Sequence, residues 1–335
     1  MNKESKDHEH KIDELLRKID DKYIGKWYMK QPYNKTKILS IRARACIDLF
    51  RPFTLAAPFF VSMFIMIAGL VYTKGTLSPH WWTTVLIASF VMVITNAASN
   101  SLNQATDVES DKISKPHRPI CQGILDVKTA QSLAYLLYLS AVLVAMLINI
   151  QFGILVFLII IFTITYSLPP RMKRYLFLNQ IWIAVPRGFL AVMASWSVFG
   201  NPLAPTPLLI GTIAMLFLIG GTPTKDIVDR KADEKTGTKT LINTLGIKKT
   251  AMISFPFMII PFVIIPLLIS HGTLKPYLWP LSFSVLFSIL IFYLMFRKTE
   301  NKMLENVHAW SIMYLEYIFF SMGFAILTIF GATYS

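Results

Sequence analysis

Charged residues are scarce in this 335-residue chain. They make up 16% of the sequence, against about 25% in an ordinary soluble domain. Hydrophobic residues make up 54%, and the mean hydropathy is +0.52. The few charges are also clustered, and the long stretches between the clusters have almost none. This composition excludes a typical soluble globular domain and predicts an integral membrane protein.

Cysteine is nearly absent as well, with Cys46 and Cys121 as its two occurrences. Both fall on the side of the membrane that is predicted below to be cytoplasmic, so no disulfide is expected. The first forty residues are polar and charged, without the short apolar core and small-residue cleavage site of a signal peptide, so none is expected. The six histidines show no metal-ligand spacing.

Nine long apolar runs dominate what is present. Runs of about 20 residues match the ~30 Å hydrocarbon core of a bilayer at 1.5 Å rise per residue. Backbone groups in lipid need internal hydrogen bonds, and no run alternates with period two, so helices are expected and a β-barrel is excluded. The predicted fold class is therefore an all-α integral membrane protein with nine transmembrane helices, at about 53–72, 81–102, 131–149, 152–168, 178–200, 206–224, 251–270, 278–296 and 309–331.

The net charge is +14, and the distribution of the Lys and Arg residues indicates a membrane protein rather than a nucleic-acid-binding one. Thirteen of the 33 Lys and Arg residues precede the first apolar run, and seventeen more lie in every second loop. This asymmetry places the N-terminus and the charged loops in the cytoplasm. The sequence thus predicts a multi-pass protein of the cell membrane, with the lipid bilayer as a partner and no nucleic acid.

The N-terminal tail is predicted to be a separate unit. Residues 1–50 form a cytoplasmic amphipathic tail in this interpretation, and residues 51–335 form the membrane domain. Apolar residues recur at helical spacing from Ile12 to Ile24 among charged residues, which is typical of a helix lying on an anionic leaflet. A solvated helix without a membrane role is the alternative.

Two predicted cytoplasmic loops carry the chemistry. Each places a row of polar side chains on one face of a helix that continues from an apolar run. The rows are Asn103, Asp107 and Asp111 after the second run, and Asp226, Asp229 and Asp233 after the sixth. Like charges at this spacing repel one another unless a cation compensates them. Mg²⁺ is suited to the task, because it binds one or two carboxylates together with substrate phosphates.

These rows resemble the two aspartate motifs of the UbiA superfamily of intramembrane prenyltransferases. The first row is followed by Lys115-Pro-His-Arg118-Pro, and the second is preceded by Lys225. Between them, the segment from Tyr166 to Arg174, Tyr-Ser-Leu-Pro-Pro-Arg-Met-Lys-Arg, resembles a third loop of the family. The nine predicted helices agree, and the likeness covers residues ~50–331.

The resemblance implies a UbiA-type helical bundle and a prenyltransferase with its active site facing the cytoplasm. A polyprenyl diphosphate would bind through the cofactor Mg²⁺ and ionise to an allylic cation that alkylates a lipophilic or aromatic acceptor. The implied catalytic residues are Asp107, Asp111, Asp229 and Asp233. The implied metal ligands are the same four with Asp226. The implied substrate-binding residues are Asn103, Arg51, Arg118, Tyr166, Arg171, Lys173 and Lys225. Tyr166 is alternatively a membrane-interface aromatic.

The acceptor is predicted from details of the motifs. Gln104, where many members of the family have Asp, and the pair Arg187-Gly188 look closest to the homogentisate prenyltransferase-like branch. An aromatic quinone precursor is therefore the first choice. Arg118 departs from that branch, so an isoprenyl-glycerol phosphate lipid and a tetrapyrrole carboxylate remain as alternatives.

Two charges lie inside apolar runs. Arg187 is expected to face a polar cavity or a partner, or else to extend to the interface, and Glu316 is a candidate partner. Intramembrane charges also occur in ion-coupled transporters, which place them near the midplane on broken, repeated helices. Here the acids lie at helix ends and no inverted repeat is evident, so the transporter is the weaker alternative.

Overall fold

A computed structural model describes residues 38–73, 79–297, 302–303 and 306–334, and these are helical nearly throughout. The amphipathic segment predicted for Ile12–Ile24 lies outside them. The helices are α1 Ile38–Phe50, α2 Ala56–Tyr72, α3 Trp81–Thr106, α4 Val108–Ser114, α5 Val127–Ile148, α6 Ile150–Ser167, α7 Leu178–Ala184, α8 Ala191–Ser197, α9 Pro205–Gly221, α10 Asp226–Thr236, α11 Leu241–Val263, α12 Ile265–Ser270, α13 Val285–Phe296 and α14 His308–Tyr334. A two-stranded hairpin, β1 Lys302–Met303 and β2 Asn306–Val307, precedes α14.

The predicted membrane segments are present as helices. Eight helical stretches of the described chain are long and apolar enough to cross a bilayer. The ninth, Leu178–Ser197, is also helical, but α7 and α8 are separated by a π-helical turn at Val185–Leu190. Pro186 supplies no backbone N–H for the regular ladder, which accounts for a break there. The all-α membrane fold is confirmed.

Two helix starts lie well before the predicted ones. α5 begins at Val127 because the Asp126 side chain accepts a hydrogen bond from the backbone N–H of Thr129, at 2.6 Å. α11 begins at Leu241 behind a capping box of Thr240 and Asn243, and Gly246, with φ of 78°, separates this first turn from the rest of the helix by a kink. These polar first turns extend beyond the apolar runs, so hydropathy does not detect them.

Helices from distant parts of the chain close the bundle. α14 packs along α2, α3 packs against α5, and α9 packs against α11. Trp196 of α8 is 1% exposed and stacks on Phe324 of α14 with ring centroids 6.2 Å apart. Buried aromatic rings of this size contribute several kcal/mol each. This contact stabilises the packing of α14 against α8.

Residues 38–50 pack on the membrane domain. Ala45 and Leu49 of α1 are fully buried against α3 and the loop that follows α4. The side-chain amide of Gln104 donates to the backbone oxygen of Leu49 at 2.8 Å. The division into a tail and a membrane domain at residue 50 stays a prediction, as does the role of the tail.

Candidate active site

Three polar segments meet at one end of the bundle. They are the α3–α4 junction with the loop after it, the loop after α6, and the start of α10. Lys173 of the second segment contacts Asp107 of the first, and Lys115 of the first contacts Asp229 of the third. Together they surround the mouth of a cavity of about 870 Å³ that extends between the helices. The two acidic rows therefore face one shared space.

Asp107 lies at a break in the first row. α3 ends at Thr106 and α4 begins at Val108, so the predicted continuing helix is interrupted at this residue. Its carboxylate oxygens lie 2.5 and 2.6 Å from the Lys173 ammonium. The Arg171 guanidinium donates to one of these oxygens at 3.0 Å, and the Asn103 side-chain amide donates to the other at 2.8 Å. Burial lowers the pKa of Lys173 although Asp107 opposes that shift.

Asp111 is buried more deeply than Asp107. It is 4% exposed, and its carboxylate lies 2.5 Å from a guanidinium nitrogen of Arg118, which is 5% exposed. Burial raises the pKa of Asp111, and the charges of Arg118 and Lys115 oppose that shift. The two side chains depend on each other, because removal of either partner would leave a buried charge.

The second row lies on one continuous helix, as predicted, behind a 3₁₀ turn at Thr222–Lys225. Asp226 contacts the Lys225 ammonium and accepts a hydrogen bond from the Asn179 amide at 3.2 Å. The Tyr166 hydroxyl in turn donates to Asn179 at 3.0 Å. The sequence interpretation did not include Asn179, a polar residue that opens an otherwise apolar segment.

Asp229 and Asp233 continue this face of α10. Asp229 pairs with Lys115, which stands in the Lys-Pro-His-Arg-Pro segment and was also not among the predicted site residues. One oxygen of Asp233 is buried without a hydrogen-bond partner in the described part of the chain, although the residue lines the cavity. An orphaned buried carboxylate oxygen is costly unless a ligand or ion completes it.

The donor set fits Mg²⁺ bound together with a phosphate. Among the described residues, no three His, Cys, Asp or Glu side chains cluster closely enough to bind a metal by themselves. Mg²⁺ takes oxygen ligands and commonly uses one or two carboxylates with substrate phosphates, which is what paired acids at a cavity mouth offer. The unpartnered Asp233 oxygen is one such position.

Arg51 is held at the mouth by an unusual backbone. It adopts a left-handed conformation, with φ of 54°, immediately before the 3₁₀ turn that leads into α2. Its guanidinium carbon lies 5.3 Å from the centre of the Phe53 ring. A non-glycine residue rarely occupies this region, and such strain is concentrated at functional sites. Arg51 also lines the cavity, and its substrate-binding role stays a prediction.

Below the mouth the cavity has a partly apolar wall. The lining residues from α2, α3 and α14 include Val61, Met92 and Met313. Arg187 and Tyr314 line the same region. The space can therefore accept an apolar chain that hangs from a charged group at the mouth.

Gln104 and Glu316 both lie outside the cavity, and the candidate pairing of Glu316 with Arg187 is wrong. Gln104 is 1% exposed, and its side-chain amide is bonded to α1. Glu316 is fully buried and accepts a hydrogen bond from Ser288 at 2.9 Å, so it does not pair with Arg187. Adjacent helix residues point about 100° apart, which is why Asn103 faces the site and Gln104 does not.

Two relatives of known name align with most of this chain. The digeranylgeranylglyceryl phosphate synthase of Methanosphaera stadtmanae is 24% identical over 282 residues, which cover 83% of this chain and 98% of that protein. The probable chloroplastic homogentisate phytyltransferase 2 of Oryza sativa subsp. japonica is 24% identical over 314 residues, which cover 87% of this chain and 81% of that protein. Both alignments span most of the membrane domain.

The fold also matches solved structures. A UbiA homologue from Archaeoglobus fulgidus, bound to GPP and Mg²⁺, superimposes with a TM-score of 0.67 at 17% identity, covering 87% of this chain and all of that one. An apo UbiA homologue from Aeropyrum pernix K1 gives a TM-score of 0.62 at 16% identity, with 83% and 98% covered. Residues 61–330 match the sequence profile of the UbiA prenyltransferase family. The chain therefore belongs to the UbiA prenyltransferase family and is a multi-pass membrane prenyltransferase.

Proposed function

We propose that this enzyme transfers a polyprenyl group from its diphosphate to the hydroxyl of an isoprenyl-glycerol phosphate lipid, with Mg²⁺ as cofactor. The observation that carries the donor half is the paired acidic mouth above a deep, partly apolar cavity. A diphosphate fits the mouth, and a chain of isoprene units fits the space below it.

Charge balance at the mouth explains the need for a metal. Asp107, Asp111, Asp226 and Asp229 each contact a Lys or Arg side chain. A diphosphate with about three negative charges therefore meets a mouth that is already close to neutral. When bound, Mg²⁺ supplies the missing positive charge and stabilises the leaving group. The Archaeoglobus homologue was solved with Mg²⁺ and GPP, which supports the assignment.

The side chains exchange partners in this mechanism. Asp107, Asp111, Asp229 and Asp233 take up metal ligation, and their Lys and Arg partners turn to the phosphate oxygens. The C1–O bond of the donor breaks, and the acceptor oxygen forms a bond to C1. The hydroxyl proton passes to the released diphosphate. Fixed cations around the leaving oxygen stabilise charge that develops only as this bond breaks.

The acceptor rests on the relatives and on the cavity. Two relatives whose alignments cover 98% and 90% of their own length, those of Methanosphaera stadtmanae and Thermococcus gammatolerans, are named digeranylgeranylglyceryl phosphate synthases. An acceptor with its own phosphate needs a second cation away from the diphosphate, and Arg187 lines the inner cavity. The aromatic acceptor stays the second candidate, because the rice homogentisate phytyltransferase relative aligns over 314 residues. The resemblance of Gln104 and Arg187-Gly188 to the homogentisate prenyltransferase-like branch also favours this second candidate.

Parallel assays test the proposal. The purified enzyme, in lipid nanodiscs with Mg²⁺, receives geranylgeranyl diphosphate and one acceptor at a time: isoprenyl-glycerol phosphate, homogentisate, a hydroxybenzoate or a hydroxynaphthoate. We expect a prenylated ether lipid from the first and little product from the aromatics. Product from an aromatic alone would overturn the acceptor and leave prenyl transfer intact. Loss of all activity in chelator, restored by Mg²⁺ or Mn²⁺, tests the metal.

We also propose that the mouth faces the cytoplasm, which the distribution of Lys and Arg supports. Both native cysteines are replaced first, and single cysteines are then placed at the exposed positions Lys112, Lys231 and Gln151. An impermeant thiol reagent should label the first two only from the cytoplasmic side and the third only from the outside. Labelling in the reverse sense would overturn the orientation.

A further inference from the structure

Arg187 is a cation at membrane depth that has no side-chain partner among the described residues. It lies in the π-helical turn of the segment Leu178–Ser197, yet its side chain is exposed and lines the cavity. In the described part of the chain, no side chain forms a hydrogen bond or ion pair with its guanidinium. Cations within a membrane segment are costly and face polar cavities or partners. The described residues supply the cavity but no carboxylate that pairs with Arg187.

The local fold holds Arg187 in this position. The π turn is fixed from outside, because the Tyr317 hydroxyl donates to the backbone oxygen of Arg187 at 2.6 Å. Gly188 allows close contact with α9: a Cβ atom there would lie 2.7 Å from the backbone N and Cα of Met215. Pro186 marks the start of the break. π-helical turns occur frequently at functional sites.

Tyrosine side chains from α5 and α14 lie near Arg187. Tyr138, Tyr314 and Tyr317 are within reach of its charge, and Tyr314 and Tyr317 line the same cavity. The Tyr314 oxygen accepts the Ala57 N–H at 2.8 Å, and among the described residues nothing accepts its proton. Arg187 and Tyr314 therefore present donors to the same region of the cavity, where the protein provides no acceptor for them. Such a set binds an anion.

We propose that Arg187, assisted by Tyr314, binds the anionic group of the prenyl acceptor. The inference rests on the proposed function, since it assigns an acceptor to this cavity, but it needs only a phosphate or a carboxylate on that acceptor. It makes Arg187 a specificity-determining residue that selects an anionic acceptor over a neutral one.

The depth of Arg187 separates this anion from the donor diphosphate. Asn179, whose amide contacts Asp226 at the mouth, precedes Arg187 by eight residues, or about 12 Å at 1.5 Å per residue. We assign the diphosphate to the mouth and the acceptor anion to Arg187, as two sites of one cavity. The reacting carbon and the acceptor nucleophile lie between these sites, so the two substrates are oriented toward each other.

The test compares each acceptor with an analogue that lacks its charge. Binding to the full-length protein in nanodiscs is measured by native mass spectrometry, independently of turnover. The lipid pair is isoprenyl-glycerol phosphate and the phosphate-free isoprenyl-glycerol, and the aromatic pair is homogentisate and methylhydroquinone. The variants are Arg187→Met, Arg187→Lys and Tyr314→Phe. Arg230→Met is the matched control, because this exposed cation pairs with Glu234 outside the cavity.

We expect the wild type to prefer the charged member of the pair it uses by at least about tenfold. Arg187→Met should weaken binding of the charged member about 10- to 100-fold, as expected for a lost charge-assisted hydrogen bond, and leave the neutral member unchanged. Arg187→Lys should restore part of the preference, and Tyr314→Phe should lose a smaller part. The KM for prenyl diphosphate should change less than about twofold in all of them, because the mouth is intact.

Two outcomes overturn the inference. One is a wild type that shows no preference in either pair, and the other is an Arg187→Met protein that folds normally and keeps the preference. Failure of the proposed function looks different. If the wild type prenylates homogentisate and ignores the glycerol lipid, the proposed acceptor is wrong. In that case, the role of Arg187 is tested by the binding of homogentisate and methylhydroquinone only.

Discussion

The mouth of the cavity and its inner wall differ in how their charges are paired. At the mouth four carboxylates each contact a Lys or Arg side chain. The inner wall is the part of the cavity below the mouth, lined by Val61, Met92, Met313, Arg187 and Tyr314. There Arg187 has no carboxylate partner among the described residues. Paired charges can exchange partners when a metal and a diphosphate arrive, whereas an unpaired charge gains its first partner with the substrate. The two regions should therefore respond differently to mutation.

Loss of charge at the mouth should give the largest effect. Asp111→Asn combined with Asp233→Asn keeps the shape of both acidic rows and removes one metal-binding charge from each. We expect turnover to fall by at least about a hundredfold, the range for losing one electrostatic element of catalysis. Steady-state prenyl transfer in nanodiscs measures it. Glu234→Gln, an exposed acid beside Asp233, is the control and should match the wild type. Full activity of the double variant would show that these acids do not bind the metal.

A cation of the mouth should give the next largest effect. Lys173→Met removes the ammonium that contacts both oxygens of Asp107. We expect the KM for prenyl diphosphate to rise about 10- to 100-fold, because a charged hydrogen bond contributes about 1.5–3 kcal/mol. Lys231→Met removes an exposed cation outside the cavity and should leave KM unchanged. Equal KM values for the two variants would mean that Lys173 serves only to position Asp107.

The parts of this site that could be predicted from the sequence are those that depend on neighbouring residues, whereas contacts between distant residues could not be predicted. The nine membrane segments and the two acidic rows follow from hydropathy, charge asymmetry and helical spacing, which are local. The pairing of Lys115 with Asp229 joins residues 114 positions apart, so no local pattern encodes it. The hydrogen bond from Asn179 to Asp226 joins residues 47 positions apart, so no local pattern encodes it either. The unpartnered state of Arg187 is visible only once its neighbours are known.

On the inner wall, a larger residue at position 188 should lower the stability of the protein through tighter packing. In Gly188→Ala, the new Cβ would lie 2.7 Å from the Met215 backbone, which cannot move aside as a side chain can. We expect a destabilisation of about 1–3 kcal/mol, despite the better helix propensity of alanine, and a lower Tm in detergent. Gly323→Ala is the matched control in another membrane helix. Its Cβ would lie 3.3 Å from the flexible Leu281 side chain, so its Tm should hardly change. Equal Tm values for the two variants would contradict the close contact at Gly188.

The smallest effect should come from Tyr166, which orients the mouth without contacting a carboxylate itself. Its hydroxyl donates to Asn179 at 3.0 Å, and Asn179 donates to Asp226 at 3.2 Å, so Tyr166→Phe releases the far end of a two-bond chain. The ring remains, and with it the contact to Lys173, whose ammonium lies 5.7 Å from the ring centre.

We expect kcat of Tyr166→Phe to fall about 2- to 10-fold with little change in KM, since one neutral hydrogen bond contributes about 0.5–1.5 kcal/mol. Tyr175→Phe is the control, because this exposed tyrosine lies on the same side of the bundle. Steady-state kinetics with both substrates varied separate kcat from KM. If the two variants match the wild type, Tyr166 is a membrane-interface aromatic, and Asn179 orients Asp226 without its help.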